Sequence, residues 1–254
     1  MKSINRGLEW AERDSFRVNY FDEDNIMATV LITGTNKGVG LELTKIYAGR
    51  GDTVIAACRD PQSAEALNAV DGAVEVVGCS VGDNHSVADL AAALQGRAID
   101  VLINNAGTSG PARDRQTTFA MDFEGWADAF NINTMAPVRM MQALMPNLQL
   151  ASASKVMTVT SQMGALSLDM AAAHAYCATK AAVNKFMRLA ALDLKKEGIA
   201  VGLVHPGWVK TDMGGPHADI TPEESAAGCA AVTDALSMDN TGGFWKWNGE
   251  VHGW

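Results

Sequence analysis

Tyr176 and Lys180 stand four residues apart in the run Tyr176-Cys177-Ala178-Thr179-Lys180. On a helix that spacing puts both side chains on one face, with Cβ atoms about 5–6 Å apart. An ammonium beside a phenol favours the phenolate, so the tyrosine pKa is expected to fall below its ordinary value of about 10. Such a phenol can exchange a proton with a carbonyl or an alcohol near neutral pH. Lysine is common enough that a single Tyr-x-x-x-Lys arises by chance in many chains. The pair needs company before it carries an argument.

That company begins near the start of the chain. The apolar run Ala28-Thr29-Val30-Leu31-Ile32 ends in Thr33-Gly34-Thr35-Asn36-Lys37-Gly38-Val39-Gly40, and Leu41, Leu43, Ile46 and Tyr47 follow at helical spacing. Strand, glycine-rich turn and helix together aim a helix N-terminus and free backbone N–H groups at a pyrophosphate. With 24 glycines in 254 residues, the loop alone is weak evidence. Asn104-Asn105-Ala106-Gly107 closes a second apolar run, Val101-Leu102-Ile103. Asn133 lies in Phe130-Asn131-Ile132-Asn133-Thr134. Ser161 ends Val156-Met157-Thr158-Val159-Thr160 and precedes Gln162-Met163-Gly164, and Pro206-Gly207-Trp208-Val209-Lys210-Thr211 comes later.

In this order the motifs resemble those of the classical short-chain dehydrogenase/reductase family, and the resemblance runs from residue 28 to 254. More narrowly, the stretch from His205 through Met213 to Gly215, with Thr221-Pro222-Glu223-Glu224-Ser225 after it, is similar to C-factor-like carbonyl reductases. The family resemblance implies hydride transfer between a nicotinamide and a substrate carbonyl carbon. Tyr176 would exchange the proton, Lys180 would lower its pKa and hold the nicotinamide ribose, and Ser161 would bind the carbonyl oxygen. Asn133 would hold a water linking Lys180 to solvent. The cofactor would lie against Gly34, Asn36, Lys37, Gly38, Val39, Gly40, Arg59, Asn104, Ala106, Gly107, Tyr176, Lys180, Pro206, Gly207, Val209 and Thr211. His174 and His205 match no catalytic position of the family and read as lining or cap residues. The resemblance also leaves open a second function, a dinucleotide-binding signalling or sensor protein of C-factor type with little turnover.

The elements that must position these residues alternate along the chain. Strands are expected at 28–33, 53–58, 74–79, 100–104, 155–161, 199–205 and 243–247, and helices at 38–50, 61–70, 84–95, 123–148, 173–197 and 221–236. The alternation predicts one doubly wound, Rossmann-type α/β domain, a seven-stranded parallel sheet with helices on both faces. Ligands of such a fold sit beyond the carboxyl ends of the strands, where every motif above falls. The domain is expected to span 27–254. Residues 1–26 mix basic and acidic side chains without periodicity and fit neither a secretory signal nor a mitochondrial presequence. They read as a flexible arm or as the product of an upstream start codon.

A net charge of −9 with no Lys/Arg cluster argues against nucleic-acid binding. No uninterrupted apolar stretch reaches the length of a membrane span. Cys58, Cys79, Cys177 and Cys229 show no metal-ligand spacing and read as thiols of a reducing, cytoplasmic compartment. Cys58 and Cys79 should end neighbouring strands.

The end of the second strand points to the coenzyme. NAD sites place a carboxylate there for the ribose 2′-hydroxyl, whereas this chain has Ala57-Cys58-Arg59. Arg59 can meet a 2′-phosphate with a bidentate fork, and Lys37 adds a second cation, so NADP(H) is expected. Asp60 beside Arg59 could compete for it. One departure from the family is Ser80-Val81, where an Asp usually contacts the adenine. The substrate is expected to be a small, moderately apolar carbonyl or alcohol lined by residues 108–111, Gln162, Met163, Trp208 and Met213, under a short lid. A homodimer or homotetramer is expected through the two long helices, with Ala182, Phe186, Leu189 and Leu192 facing outward.

Overall fold

The computed structural model describes residues 27–169 and 172–254, so the N-terminal segment read above lies outside the described residues. Seven strands, β1 (Thr29–Thr33), β2 (Thr53–Cys58), β3 (Val74–Gly78), β4 (Val101–Asn104), β5 (Lys155–Val159), β6 (Ala200–His205) and β7 (Phe244–Lys246), form one sheet in the order β3-β2-β1-β4-β5-β6-β7. Every pairing is parallel. The order reverses between β1 and β4, which makes the carboxyl ends of those two strands the switch point.

The central strands are apolar on both faces because both faces are covered. Leu31, Ile55, Leu102, Val156, Val201 and Leu203 point into one core, and Val30, Ile32, Val54, Ile103, Met157 and Val204 into the other. Helices α3 (Asn84–Ala93), α5 (Ala136–Ala143) and α7 (His174–Leu194) cover the first, while α1 (Gly38–Gly49) and α8 (Pro222–Asp234) cover the second. The expected capping box opens α8: Thr221 accepts from Glu224 N–H, and the Glu224 carboxylate accepts from Thr221 N–H.

Two expected helices differ from the reading of the sequence. The segment 61–70 keeps only α2 (Glu65–Asn68), with Asn68 folded back onto the Pro61 carbonyl at 2.8 Å. The segment 123–148 is broken into α4 (Phe123–Phe130), a π-helical turn at Asn131–Met135, α5, and α6 (Met145–Leu148). Proline explains both breaks. Pro137 has no N–H for the carbonyl four residues back, that of Asn133, and the turn widens so that Ala136 N–H bonds Asn131 instead. Pro146 likewise has no N–H for the carbonyl of Gln142, four residues back, where α5 gives way to α6. The first break places Asn133 at the point where the helix departs from regular geometry.

Candidate active site

The glycine loop is shaped for close approach. Gly34 and Gly38 have φ of +72° and +58°, and a Cβ on Gly40 would lie 2.2 Å from the Gly34 carbonyl oxygen. Asn105, the second residue of the Asn104-Asn105-Ala106-Gly107 motif, clamps the loop: its Nδ2 donates to Thr33 O at 2.9 Å and Gly34 O at 3.1 Å. The start of α1 suits an anion. Helices α3, α4 and α8 are capped by Asp83, Asp122 and Thr221, but Lys37 at the N-cap of α1 makes no side-chain cap, and the first turn carries no acid. Its orphan N–H groups therefore suit the diphosphate of a dinucleotide.

At the adenosine end the two expected cations differ. Arg59 is exposed and makes no ion pair among the described residues. Asp60 does not hold it, since the carboxylate accepts from Gln62 N–H at 3.1 Å. Lys37 instead pairs with Asp212 at 2.6 Å across the cleft. Both partners are largely exposed, so solvent screens this pair and it exchanges readily. Ser80 offers only its hydroxyl where a carboxylate is usual, and its N–H is bonded to Ser86 Oγ at 2.9 Å.

The residues expected to react converge at the carboxyl ends of β4 and β5. Tyr176 and Lys180 lie on one face of α7, with the Lys180 Nζ 5.8 Å from the tyrosine ring centre. Lys180 is buried and donates to Val159 O at 3.1 Å. Ser161 accepts from Met163 N–H at 3.1 Å, and its hydroxyl is near enough to the Tyr176 phenol to pull the phenol's pKa down. Asn133 is buried and exchanges two 2.8 Å hydrogen bonds with the Thr108 backbone, while its Nδ2 also donates to Thr179 Oγ1 at 3.0 Å. A Cβ on Gly107 would stand 3.3 Å from Asn133 Oδ1 and 3.7 Å from Lys180 Nζ. Asparagine, glycine and lysine from three separate motifs thus meet. The far wall is Pro206-Gly207, pinned by Ser225 Oγ donating to Pro206 O at 2.6 Å. Gly207 has φ +89° and abuts Ile220 and Trp247.

Electrostatics here runs against the simple expectation. Burial pushes the Tyr176 phenol up to about 12, against the opposing pull of Ser161. Burial also drives Lys180 down to about 8. Burial dominates at both groups, so the phenol stays protonated in the neutral range. Cys177, on an adjacent helical position, turns its thiol to the Ala172 carbonyl at 3.2 Å and takes no part. Cys58 ends β2, while Cys79 falls one residue past the end of β3, and Cys79 N–H donates to Cys58 O at 2.8 Å.

His205 is only 7% exposed, and its Nδ1 has no hydrogen-bond partner among the described residues. Burial first, then the charges of His252 and Lys246, push its imidazole down to about 4. An unfolded histidine titrates near 6.5, so below that pH the unfolded chain takes up the proton first. Stability is therefore expected to be whole above about pH 6.5 and to fall as the pH drops toward 4. Melting temperature measured across that window should fall more steeply for the wild type than for His205→Phe. Parallel curves would remove His205 as the cause.

A glycine-loop strand-turn-helix at a parallel-sheet switch point, facing a Ser/Tyr/Lys/Asn set, defines a dinucleotide-dependent oxidoreductase. The chain matches the short chain dehydrogenase family over residues 28–220 and belongs to it. Among curated relatives, the C-signal of Myxococcus xanthus is 39% identical over 160 residues, covering 61% of this chain and 93% of that protein. The 1-hydroxy-2-glutathionyl-2-methyl-3-butene dehydrogenase of Rhodococcus sp. (strain AD45) is 33% identical over 90% of this chain and all of its own length. The NADPH-bound carbonyl reductase from chicken fatty liver superposes with a TM-score of 0.81 at 31% identity, covering 90% of this chain and 99% of that one. A carbonyl reductase of Pseudomonas aeruginosa PAO1 in complex with NADP gives a TM-score of 0.80 at 33% identity over 90% of this chain and all of that one.

Proposed function

We propose that the protein reduces an aldehyde or ketone to the alcohol with NADPH, Tyr176 giving the proton to the oxygen. The observation that carries this is the placement of Tyr176 and a buried Lys180 on one face of α7, with the Ser161 hydroxyl near the phenol. Two hydroxyls at one point can both bind a carbonyl oxygen, and the raised phenol is in the protonated form that a donor requires. The bound dinucleotide supplies hydride at the nicotinamide C4. Gly34, Asn36, Lys37, Gly38, Val39 and Gly40 would hold its diphosphate, and Asn104, Ala106, Gly107, Pro206, Gly207, Val209 and Thr211 would seat its nicotinamide half. Ser161 stabilises the charge that develops on oxygen. Lys180 holds the ribose and supports Tyr176, and Asn133 holds the water through which the proton is restored.

The walls favour an apolar substrate: Trp208 and Met213 are 47% and 49% exposed at the mouth. The lid is short and fastened. Trp208 Nε1 donates to Gly214 O at 2.8 Å, and Lys210 N–H to Ile220 O at 2.9 Å. No helix among the described residues is long and apolar enough to cross a membrane; the protein is proposed to work in the cytoplasm. Its partner is proposed to be a second copy, because Phe186, Leu189 and Leu192 of α7 lie exposed on an outer face where a solvated helix would be polar. Light scattering at micromolar concentration should give the mass of a dimer or tetramer; a monomer would count against it.

The similarity to the C-signal favours a second reading, a sensor that binds the dinucleotide with little turnover. Oxidation of NADPH against a panel of aldehydes, ketones and quinones separates the two. Turnover of at least one supports the reductase. Tight NADPH binding with turnover of none would favour the sensor.

A further inference from the structure

Tyr176 N–H belongs to the first turn of α7, where no carbonyl of the helix itself can reach it. The N-cap, Ala173, supplies nothing: it makes no side-chain cap and, with φ 48°, is the one non-glycine residue of positive φ among the described residues. The partner comes from 60 positions away. Gln116 Oε1 accepts from Tyr176 N–H at 3.1 Å, and Gln116 O accepts from His174 N–H at 3.2 Å. The Nε2 of the same side chain donates to Ser109 O at 3.1 Å and Pro111 O at 2.5 Å. Those carbonyls flank Gly110, whose φ of +75° bends the loop around the amide. Gln116 is 1% exposed, so water replaces none of these contacts.

The partners also fix which way the amide points. A backbone N–H can be met only by the oxygen, and two carbonyls only by the nitrogen. Only a primary amide serves both sides. One side is the helix that carries Tyr176; the other is the 108–111 wall of the substrate cleft.

We infer that Gln116 is a positioning residue that ties the substrate wall at Ser109–Pro111 to the backbone of Tyr176 and so sets the distance from the bound carbonyl to the phenol. The inference rests on Tyr176 being the proton donor. A small misplacement of a reacting group is costly, about 10²-fold for 1 Å. Gln116 touches neither the glycine loop nor Arg59, so its loss should disturb the carbonyl site more than coenzyme affinity.

The test compares Gln116→Met, which loses both sets of contacts, with Gln116→Glu, which keeps the acceptor for Tyr176 N–H but turns a carboxylate toward two carbonyls. For Gln116→Met, kcat should fall about tenfold or more and carbonyl KM should rise, with NADPH Kd changing far less than either. For Gln116→Glu, kcat should stay closer to the wild type while KM rises. Amide hydrogen exchange gives a readout independent of turnover. Protection at 175–177 should be lost in Gln116→Met and kept in Gln116→Glu, with loss at 109–111 in both. A lowered melting temperature with wild-type kcat, KM and exchange pattern would make Gln116 a structural staple and overturn the inference. So would an equal loss of kcat and NADPH affinity. If Gln116→Met fails to fold, Gln116→Glu decides alone: raised KM with retained kcat supports the link, and any other pattern sinks it. Wild-type protein that reduces no carbonyl would instead defeat the proposed function, while the exchange pattern would still decide the link.

Discussion

Replacing Tyr176 with Phe should lower kcat for carbonyl reduction by about 10²–10⁴-fold, the usual loss when a general acid is removed. Melting temperature and NADPH affinity should change little, because the ring keeps its place on α7 and only a hydroxyl is lost. The structure sharpens the expectation. With the phenol raised to about 12, Tyr176 is protonated through the neutral range and ready to donate. Alcohol oxidation needs the phenolate and should therefore climb with pH, while reduction should not need high pH. Steady-state rates in both directions for wild type and Tyr176→Phe check this. Near-normal turnover by a folded Tyr176→Phe protein would sink the mechanism.

The residues brought together at the ends of β4 and β5 were legible because each belongs to a short local pattern. Apolar runs ending in Gly34, Asn104, Ser161 and Pro206 announced strands with chemistry at one end, and the parallel sheet then had to gather those ends. Three features were not legible, each for a physical reason. The break in the helix at Asn131–Met135 depends on a carbonyl losing its donor to Pro137, which pattern counting over 123–148 overlooked, although the proline itself was the available signal. The tyrosine pKa has the opposite sign from the pairwise expectation, because spacing shows which charges are neighbours but not how deeply both are buried. Gln116 is the third case. Its role depends on main-chain atoms distant in sequence, and one Gln in a loop carries no local signature.

NADPH should be preferred over NADH by about 10–100-fold in kcat/KM. A charge-assisted hydrogen bond contributes about 1.5–3 kcal/mol, and each 1.4 kcal/mol is about tenfold. Arg59 is the residue that would supply it. It is exposed at the end of β2 and makes no ion pair among the described residues, and Asp60 is turned away to Gln62. The pairing of Lys37 with Asp212 changes what the second cation is expected to do. Lys37 must leave that carboxylate to reach a phosphate, so Asp212→Asn should raise the preference for NADPH rather than lower it. The double substitution Cys58→Asp with Arg59→Gln should reverse the preference, since the new carboxylate accepts from the ribose hydroxyls and repels the 2′-phosphate. Salt provides an independent check. The added phosphate interacts through charges exposed to solvent, so raising ionic strength should weaken NADPH binding more than NADH binding. Equal use of both coenzymes by the wild type, with equal salt responses, would show that Arg59 does not meet the phosphate, and the coenzyme assignment would fail with it.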